Sequence, residues 1–409
     1  MSKELSWPKE KINILLLEGI HPQADTVFEA NGYKVRRLPG ALSESELLAE
    51  IPGVHILGIR SKTKVSEKVI EEGRSLLAIG CFCIGTNQVA LKAGARKGVP
   101  VFNAPFSNTR SVAELTMAEI VMLARRAAHQ SASLHRGEWN KSATGCHEVK
   151  GKTLGIVGYG HIGPQVGLLA EAFGMRVFFY DIEKKLPMGS AAQLNSLEEL
   201  FRHSDFVTMH VPLTDETVNM ISARELSFIK KGGFFLNLSR GEVVDLDALR
   251  QALVSGALSG AAVDVYPEEP SSSKASFTCA LQNLDNVILT PHVGGSTEEA
   301  QEEIGKEVST SLVQFLDTGS SMQSVNVPEV RLPLLRDTHR VLNFHKNVPG
   351  ALSEINKILA QMDVNIHAQQ LGTKGEIGYL VMDVAQNVSR SVKQSLDILP
   401  VNIKTRLLF

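Results

Sequence analysis

Three side chains that follow the ends of predicted strands could move a proton and hold a carboxylate. Arg240 lies in Asn237-Leu238-Ser239-Arg240-Gly241 after a strand over 234–238, and Glu269 lies in Tyr266-Pro267-Glu268-Glu269-Pro270 after a strand over 261–265. His292 lies in Thr290-Pro291-His292-Val293-Gly294-Gly295 after a strand over 287–289. An imidazole has the ordinary pKa best suited to receive a hydroxyl proton near neutrality. A carboxylate on its other ring nitrogen would fix the tautomer and stabilise the imidazolium. A guanidinium can grip a substrate carboxylate through two parallel bonds and polarise the oxygen on the next carbon. The trio therefore suits oxidation of a 2-hydroxy acid, in which hydride leaves C2 as the hydroxyl proton departs. Taken singly, each has a plainer reading: Arg240 as a salt bridge at a helix start, Glu269 as a solvated loop acid, His292 as a hydrogen-bonded turn residue. Asp264 is better placed for the carboxamide end of a cofactor than for proton transfer.

What must position them is a dinucleotide-binding sheet. Gly158-Tyr159-Gly160-His161-Ile162-Gly163 follows a short β-rich run over 152–157 and precedes Val166, Leu169, Ala170 and Phe173 at helical spacing. A G-x-G-x-x-G on a strand-to-helix turn uses its first glycine for the tight turn. The second admits a pyrophosphate and the third lets helix pack on strand. The phosphates then meet the unpaired N–H groups and positive dipole of the helix start. The next strand, 175–180, ends at Asp181, 18 residues after Gly163. A carboxylate there accepts from both ribose hydroxyls and repels a 2′-phosphate, which predicts NAD rather than NADP. The lobe continues with a helix over 197–203, a strand over 206–211 ending in His210-Val211-Pro212, and a helix over 223–229.

At 409 residues the chain exceeds one hydrophobic core. Its 42 basic and 44 acidic residues give net charge −2, which offers no electrostatic footprint for nucleic acid or an anionic membrane. No apolar run approaches the ~18 residues of a spanning helix, and the first ten residues mix charges without a signal-sequence core. The expectation is a cytoplasmic chain. Cys81, Cys83, Cys146 and Cys279 make no metal pattern. Cys81 and Cys83 read as buried thiols sharing one face of an apolar strand.

Upstream, strands over 12–17, 33–38, 55–59, 76–79 and 99–102 alternate with helices over 23–30, 43–51, 66–72 and 91–97, predicting a first parallel-sheet lobe. Arg60, Ser61, Lys62 and Thr63 leave one of its strand ends and could hold an anionic group, or simply form a solvated loop. A helix over 111–134 would join the lobes as a hinge. Trp139 after it either anchors a subunit contact or covers its own domain. Ser296-Thr297-Glu298-Glu299 reads as a capping box opening a helix to about residue 318, which returns to the first lobe. After Pro333 the order β-α-β-β-α-β over ~70 residues predicts a ferredoxin-like module.

The fold class is thus α/β. It comprises two doubly wound parallel-sheet lobes, a substrate lobe (1–107 and 296–336) and a Rossmann NAD lobe (108–295), plus a C-terminal ferredoxin-like α+β domain (337–409). Gly158 to Gly163, Asp181, Asn237 to Glu242, Ala262-Val263-Asp264-Val265, Glu269-Pro270 and Leu289 to Ser296 together resemble the D-specific 2-hydroxyacid dehydrogenase family. The segments 79–87 and 102–114 bring the chain nearest the members that oxidise 3-phosphoglycerate. The resemblance implies NAD-dependent chemistry with Arg240, Glu269 and His292 in the roles above. His161, Ile162, Asp181, His210, Pro212, Leu238, Ser239, Arg240, Asp264 and the 292–295 turn would line the cofactor, while Arg60, Ser61, Lys62 and Asn108 would face the substrate. Such relatives often carry a second arginine where this chain has Lys62, a point charge instead of a fork. The C-terminal module resembles ACT regulatory domains, which implies L-serine as effector at His345, Asn347 and Asn365 and a homotetramer assembled through ACT and nucleotide domains. Other readings are a different 2-hydroxy acid such as 2-hydroxyglutarate, a non-enzymatic NAD sensor, and an ACT module that only dimerises.

Overall fold

The computed structural model describes residues 8–270 and 275–408. Most of the N-terminal stretch read above for a signal sequence lies outside them. The described residues contain no helix long and apolar enough to cross a membrane. The chain folds into two compact units, one of residues 1–107 with 301–409, the other of residues 108–300.

In the first unit, β1 (Ile14–Leu16), α1 (Gln23–Ala30), β2 (Val35–Arg37), α2 (Glu44–Glu50), β3 (Ile56–Ile59), α3 (Glu67–Glu72), β4 (Ala78–Cys81), α4 (Leu91–Arg96) and β5 (Val101–Asn103) alternate along the chain. The strands pair parallel in the order β2-β1-β3-β4-β5. β1, β3, β4 and β5 are buried throughout, as expected of a parallel sheet with helices on both faces. β4 stops at Cys81, so Cys83 lies beyond the strand and does not share its face; its Sγ contacts the Gly85 carbonyl at 3.2 Å. Cys81 is fully buried, and burial holds its thiol well above the usual range.

The second unit opens with α5 (Thr109–Arg125) and α6 (Ala127–His135). The spacing predicts a single helix here. Arg126 instead adopts φ 52°, and this left-handed residue ends the first helix and turns the chain into the second. Trp139 is 82% exposed, which rules out its covering its own domain. Then follow β6 (Thr153–Val157), α7 (Ile162–Ala172), β7 (Arg176–Tyr180), β8 (Ala192–Gln193), α8 (Leu197–His203), β9 (Phe206–Met209), α9 (Ala223–Leu226), β10 (Gly233–Asn237), α10 (Leu246–Val254), β11 (Leu258–Val263) and β12 (Val287–Leu289). All these strands pair parallel in the order β12-β11-β10-β9-β6-β7-β8, so the strand order reverses between β6 and β9. α5 packs on one face with Val112, Met117, Ile120 and Leu123 against Ile156, Phe206 and Leu238; Leu200, Phe201 and Leu249 fill the other. α11 (Glu298–Thr318) begins later than its sequence suggests. Thr297 Oγ1 accepts from the Ala300 N–H at 3.1 Å, so Thr297 caps it and no Ser296-to-Glu299 box forms.

The C-terminal module runs β13 (Thr338–Lys346), α12 (Ala351–Gln361), β14 (Ile366–Lys374), β15 (Ile377–Ala385), α13 (Ser389–Asp397) and β16 (Asn402–Leu408). Its antiparallel sheet has the order β14-β15-β13-β16. One face covers Ile355, Leu359, Val392 and Leu396 of its helices. The other belongs to the core of the first unit: Leu342, Phe344, Tyr379 and Leu408 join Phe102, Phe315 and Val327. Arg340 is 3% exposed and grips both Asp383 carboxylate oxygens at 2.7 and 2.8 Å; it also donates to the Thr318, Leu332 and Pro333 carbonyls.

One buried group works against this fold. Glu119 on α5 is 1% exposed, and neither carboxyl oxygen has a hydrogen-bond partner. Burial first, then the Asp264 charge, push its pKa up to about 8. The native state therefore binds a proton here that the unfolded chain has released above the ordinary carboxyl pKa, so stability falls as pH rises from about 5 to 8. The penalty at neutrality is on the order of 3 kcal/mol. Glu119→Gln should flatten this decline: melting temperatures of parent and variant, measured from pH 5 to pH 9, should diverge in the variant's favour up to about pH 8. Parallel curves would show that Glu119 does not titrate in that window.

Candidate active site

The dinucleotide turn satisfies each steric demand of its glycines. Gly158 has φ 90°, and a Cβ there would stand 2.5 Å from the His210 carbonyl oxygen; one at Gly163 would stand 2.5 Å from the Gly158 oxygen. A Cβ at Gly160 would meet nothing within 4 Å, which leaves open the approach a pyrophosphate needs. His161 and Ile162 carry the chain into α7, with His161 as its N-cap. Asp181 is fixed beside this turn, its carboxylate accepting from Tyr159 N at 2.8 Å and Glu183 N at 3.0 Å. Tyr159, which spacing alone does not single out, stacks on Phe179 at 3.7 Å and so holds the turn against β7. Turn, helix start and acid thus fit NAD at the point where the strand order reverses.

The chemistry-bearing turns leave the carboxyl ends of β10, β11 and β12. Asn237, fully buried, closes the first: its Oδ1 accepts from Ser239 N at 3.1 Å and Ser239 Oγ at 2.8 Å, and its Nδ2 donates to the Arg240 carbonyl at 2.9 Å. Leu238 beside them is buried in the α5 core. A Cβ at Gly241 would stand 2.0 Å from the Tyr266 carbonyl carbon, so the Arg240 turn and the Glu269 loop touch backbone to backbone. Glu269 accepts from Tyr266 N at 3.3 Å, and both its oxygens lie 2.9 Å from His292 Nδ1.

His292 adopts φ 55°, a left-handed conformation rare for such a residue. Asp264, 1% exposed, holds it there. The Asp264 carbonyl accepts from His292 N at 2.8 Å. Its carboxylate accepts from Val293 N and Gly294 N at 2.8 Å and from Thr290 Oγ1 at 2.6 Å. The Asp264 carboxylate thus braces the 292–295 turn.

The electrostatics follow. The hydrogen bond to Glu269 raises the His292 pKa above 6.5 against the opposing effect of burial, with the Glu269 and Asp264 charges adding and the Arg240 charge subtracting. Burial alone would raise the Glu269 carboxyl, but the hydrogen bond and charge of His292, the Tyr266 N–H and the Arg240 charge leave it lowered. The guanidinium, imidazole and carboxylate are within electrostatic reach of one another. His210 sits at the end of β9 with Nε2 3.1 Å from Thr208 Oγ1 and Nδ1 buried and unpartnered; burial pulls its pKa down to about 3, so it stays neutral. Pro212 is exposed just beyond. Asn108, preceding α5, has a buried, unpartnered Oδ1, and its Nδ2 stands 2.1 Å from where a Cβ at Gly295 would be.

Arg60, Ser61 and Lys62 belong to the other unit, after β3, with Ser61 and Lys62 exposed. In the C-terminal module His345 is 2% exposed at the end of β13, its Nδ1 3.1 Å from Asn343 Oδ1, while burial lowers its pKa. Asn347 is exposed on the following turn and donates to the Gly375 carbonyl at 3.0 Å; Asn365 is exposed before β14. Spacing misses Glu119 and Thr290, whose positions beside Asp264 only the folded chain reveals.

Comparison with known proteins accords with this geometry. Residues 117–294 match the D-isomer specific 2-hydroxyacid dehydrogenase, NAD binding domain, and residues 342–402 match the AHAS small subunit-like ACT domain. A D-3-phosphoglycerate dehydrogenase of Dictyostelium discoideum is 51% identical over 409 residues, covering 100% of both chains. One of Escherichia coli K12 is 49% identical, covering 99% of this chain and 100% of its own. Among solved structures, D-lactate dehydrogenase of Aquifex aeolicus, complexed with NAD and lactic acid, superposes with a TM-score of 0.65 at 28% identity, covering 74% of this chain and 95% of that one. The chain therefore belongs to the D-isomer specific 2-hydroxyacid dehydrogenase family, as an NAD-dependent oxidoreductase of CH–OH groups that carries a C-terminal ACT domain.

Proposed function

We propose that the chain oxidises D-3-phosphoglycerate to 3-phosphohydroxypyruvate, the first committed step of L-serine biosynthesis, in the cytoplasm and under feedback by L-serine. The observation that carries the chemistry is the His292–Glu269 pair, 2.9 Å apart, with Arg240 in reach. The phosphorylated substrate is the one named for relatives that match this chain end to end.

Arg240 holds the substrate carboxylate and draws electron density from the C2 oxygen. His292 Nε2 takes the C2 hydroxyl proton, and Glu269 steadies the imidazolium through Nδ1 and fixes the tautomer in which Nε2 is free to accept. NAD, when bound, supplies the hydride acceptor. Gly158 to Gly163 and Asp181 would hold its pyrophosphate and ribose, with the β9 and β10 ends and the 292–295 turn around the rest. Arg60, Ser61 and Lys62 would receive the substrate phosphate and Asn108 a substrate oxygen. His345, Asn347 and Asn365 would receive L-serine between paired ACT modules, in a homotetramer that also uses the nucleotide domains and the exposed Trp139. NADH formation across D-3-phosphoglycerate, 2-hydroxyglutarate and D-lactate tests the substrate. Preference for either unphosphorylated acid would overturn it.

His292→Ala should slow the chemical step roughly 10²- to 10⁴-fold, the usual worth of a positioned base. Unchanged turnover would remove His292 from the reaction. Oxidation requires the neutral imidazole, so its kcat/KM should fall as pH drops through a pKa above 6.5. Glu269→Gln removes the main cause of the elevation and should move that acid limb to lower pH while reducing the plateau. A limb that stays in place would dissociate it from the His292–Glu269 pair. Asn347→Ala should leave uninhibited turnover unchanged and abolish inhibition by L-serine. Inhibition that persists would put the effector elsewhere.

A further inference from the structure

The sheet order β2-β1-β3-β4-β5 places a topological switch point between β1 and β3, and ligands of open α/β sheets bind outside the carboxyl ends of the strands at such a point. The loop Arg60, Ser61, Lys62 and Thr63 leaves β3 there, and the end of β1 supplies Glu18. Glu18 adopts φ 60° and is followed by Gly19, also at φ 60°. Two left-handed residues in succession curl the chain back from β1. The Glu18 carboxylate then takes three backbone N–H groups of the loop: Oε1 accepts from Arg60 at 3.2 Å and Thr63 at 2.8 Å, and Oε2 accepts from Lys62 at 3.0 Å. From the other side Gln88, 8% exposed, donates through Nε2 to the Arg60 carbonyl at 2.7 Å.

We infer that Glu18 is a positioning residue for substrate recognition: it fills the backbone N–H cluster of the 60–63 loop, so that an anion must be caught by the Arg60, Ser61 and Lys62 side chains. This rests on the reading of that loop as the receiver of the substrate phosphate. Convergent N–H groups at the end of a strand otherwise make an anion site of their own. Here an internal carboxylate occupies them, locks the backbone on which both cations are mounted, and leaves recognition to a guanidinium, a hydroxyl and an ammonium. Two opposing effects attend loss of the carboxylate. Removing a negative charge from beneath the loop increases its long-range attraction for anions, but that attraction is screened by salt. Three charge-assisted hydrogen bonds fixing the loop act at contact and are individually stronger. Their loss decides the sign.

Glu18→Gln tests this, because the isosteric amide must oppose one of its own N–H groups to a loop N–H whichever way it faces. With the full chain, KM for D-3-phosphoglycerate should rise roughly 10- to 100-fold, as misplacement of a binding group by about an ångström does. kcat should stay within a few-fold, and NADH affinity and kcat/KM for D-lactate should not change. Gln88→Leu, which frees the Arg60 carbonyl from another element, should move the same KM in the same direction. An unchanged or lower KM in folded Glu18→Gln overturns the inference, and so does an equal loss on D-lactate, which would mark a general structural defect. A parent enzyme that ignores D-3-phosphoglycerate overturns the substrate reading alone. Glu18 is then judged by the same KM ratio on 2-hydroxyglutarate, whose second carboxylate takes the place of the phosphate.

Discussion

The buried carboxylate of Asp264 is the constraint on which the site depends. It stands at the end of β11 and satisfies itself with a threonine hydroxyl and two successive N–H groups of the neighbouring turn. A buried anion is tolerated only when fully hydrogen-bonded, so the turn has little freedom to open without stranding it. That turn forces His292 into a left-handed conformation, and from there its ring reaches Glu269. The strain at one residue is thus held by four bonds to another, three to the Asp264 carboxylate and one from His292 N–H to its carbonyl. Glu119 adds a counterweight, since its ionisation would set a second buried negative charge beside the first.

Much of this is legible in sequence because the local chemistry and the global fold agree. The glycine turn, the acid at position 181 and the three polar strand ends are each determined within a few residues of their own strand. The parallel sheets can be read from alternation alone. What cannot be read lies where tertiary contacts decide. Arg126 interrupts a sequence with continuous helical spacing, and Thr297 displaces the expected cap by one residue. That Asp264 also braces the 292–295 turn is invisible in the sequence because its partners are 26 to 30 positions away, and no local pattern reports them. The Gly241 approach to Tyr266, which brings Arg240 beside Glu269, is likewise a meeting of segments separate in sequence.

The C-terminal module is joined to the first unit by more than a linker. Its sheet shares apolar core with the lobe that bears the Arg60 loop, and polar bonds fasten the seam. Lys404 donates to the Leu76 carbonyl at 2.6 Å and Arg406 to the Leu316 carbonyl at 2.7 Å, both cations depressed in pKa chiefly by burial, Lys404 to about 8. Removing either long side chain would leave a buried carbonyl unmatched, which costs more than the bond itself contributes. Such a seam resists sliding.

That resistance bears on how an effector at Asn347 could act. Asn347 follows β13, and Phe344 three residues earlier stacks on Tyr379 at 4.1 Å within the same core that holds Phe102 of β5. A displacement of β13 cannot be absorbed by the seam as slack, because close-packed interiors shift between discrete arrangements rather than deform continuously. It must be resisted or passed to the sheet that carries β3 and the Arg60 loop. A ligand binding there influences catalysis only to the extent that it prefers one arrangement of that sheet over another. Were an effector at Asn347 to alter anion binding at the Arg60 loop, its influence would have to pass through this shared apolar core, with a strength set by how well that core packs in each arrangement.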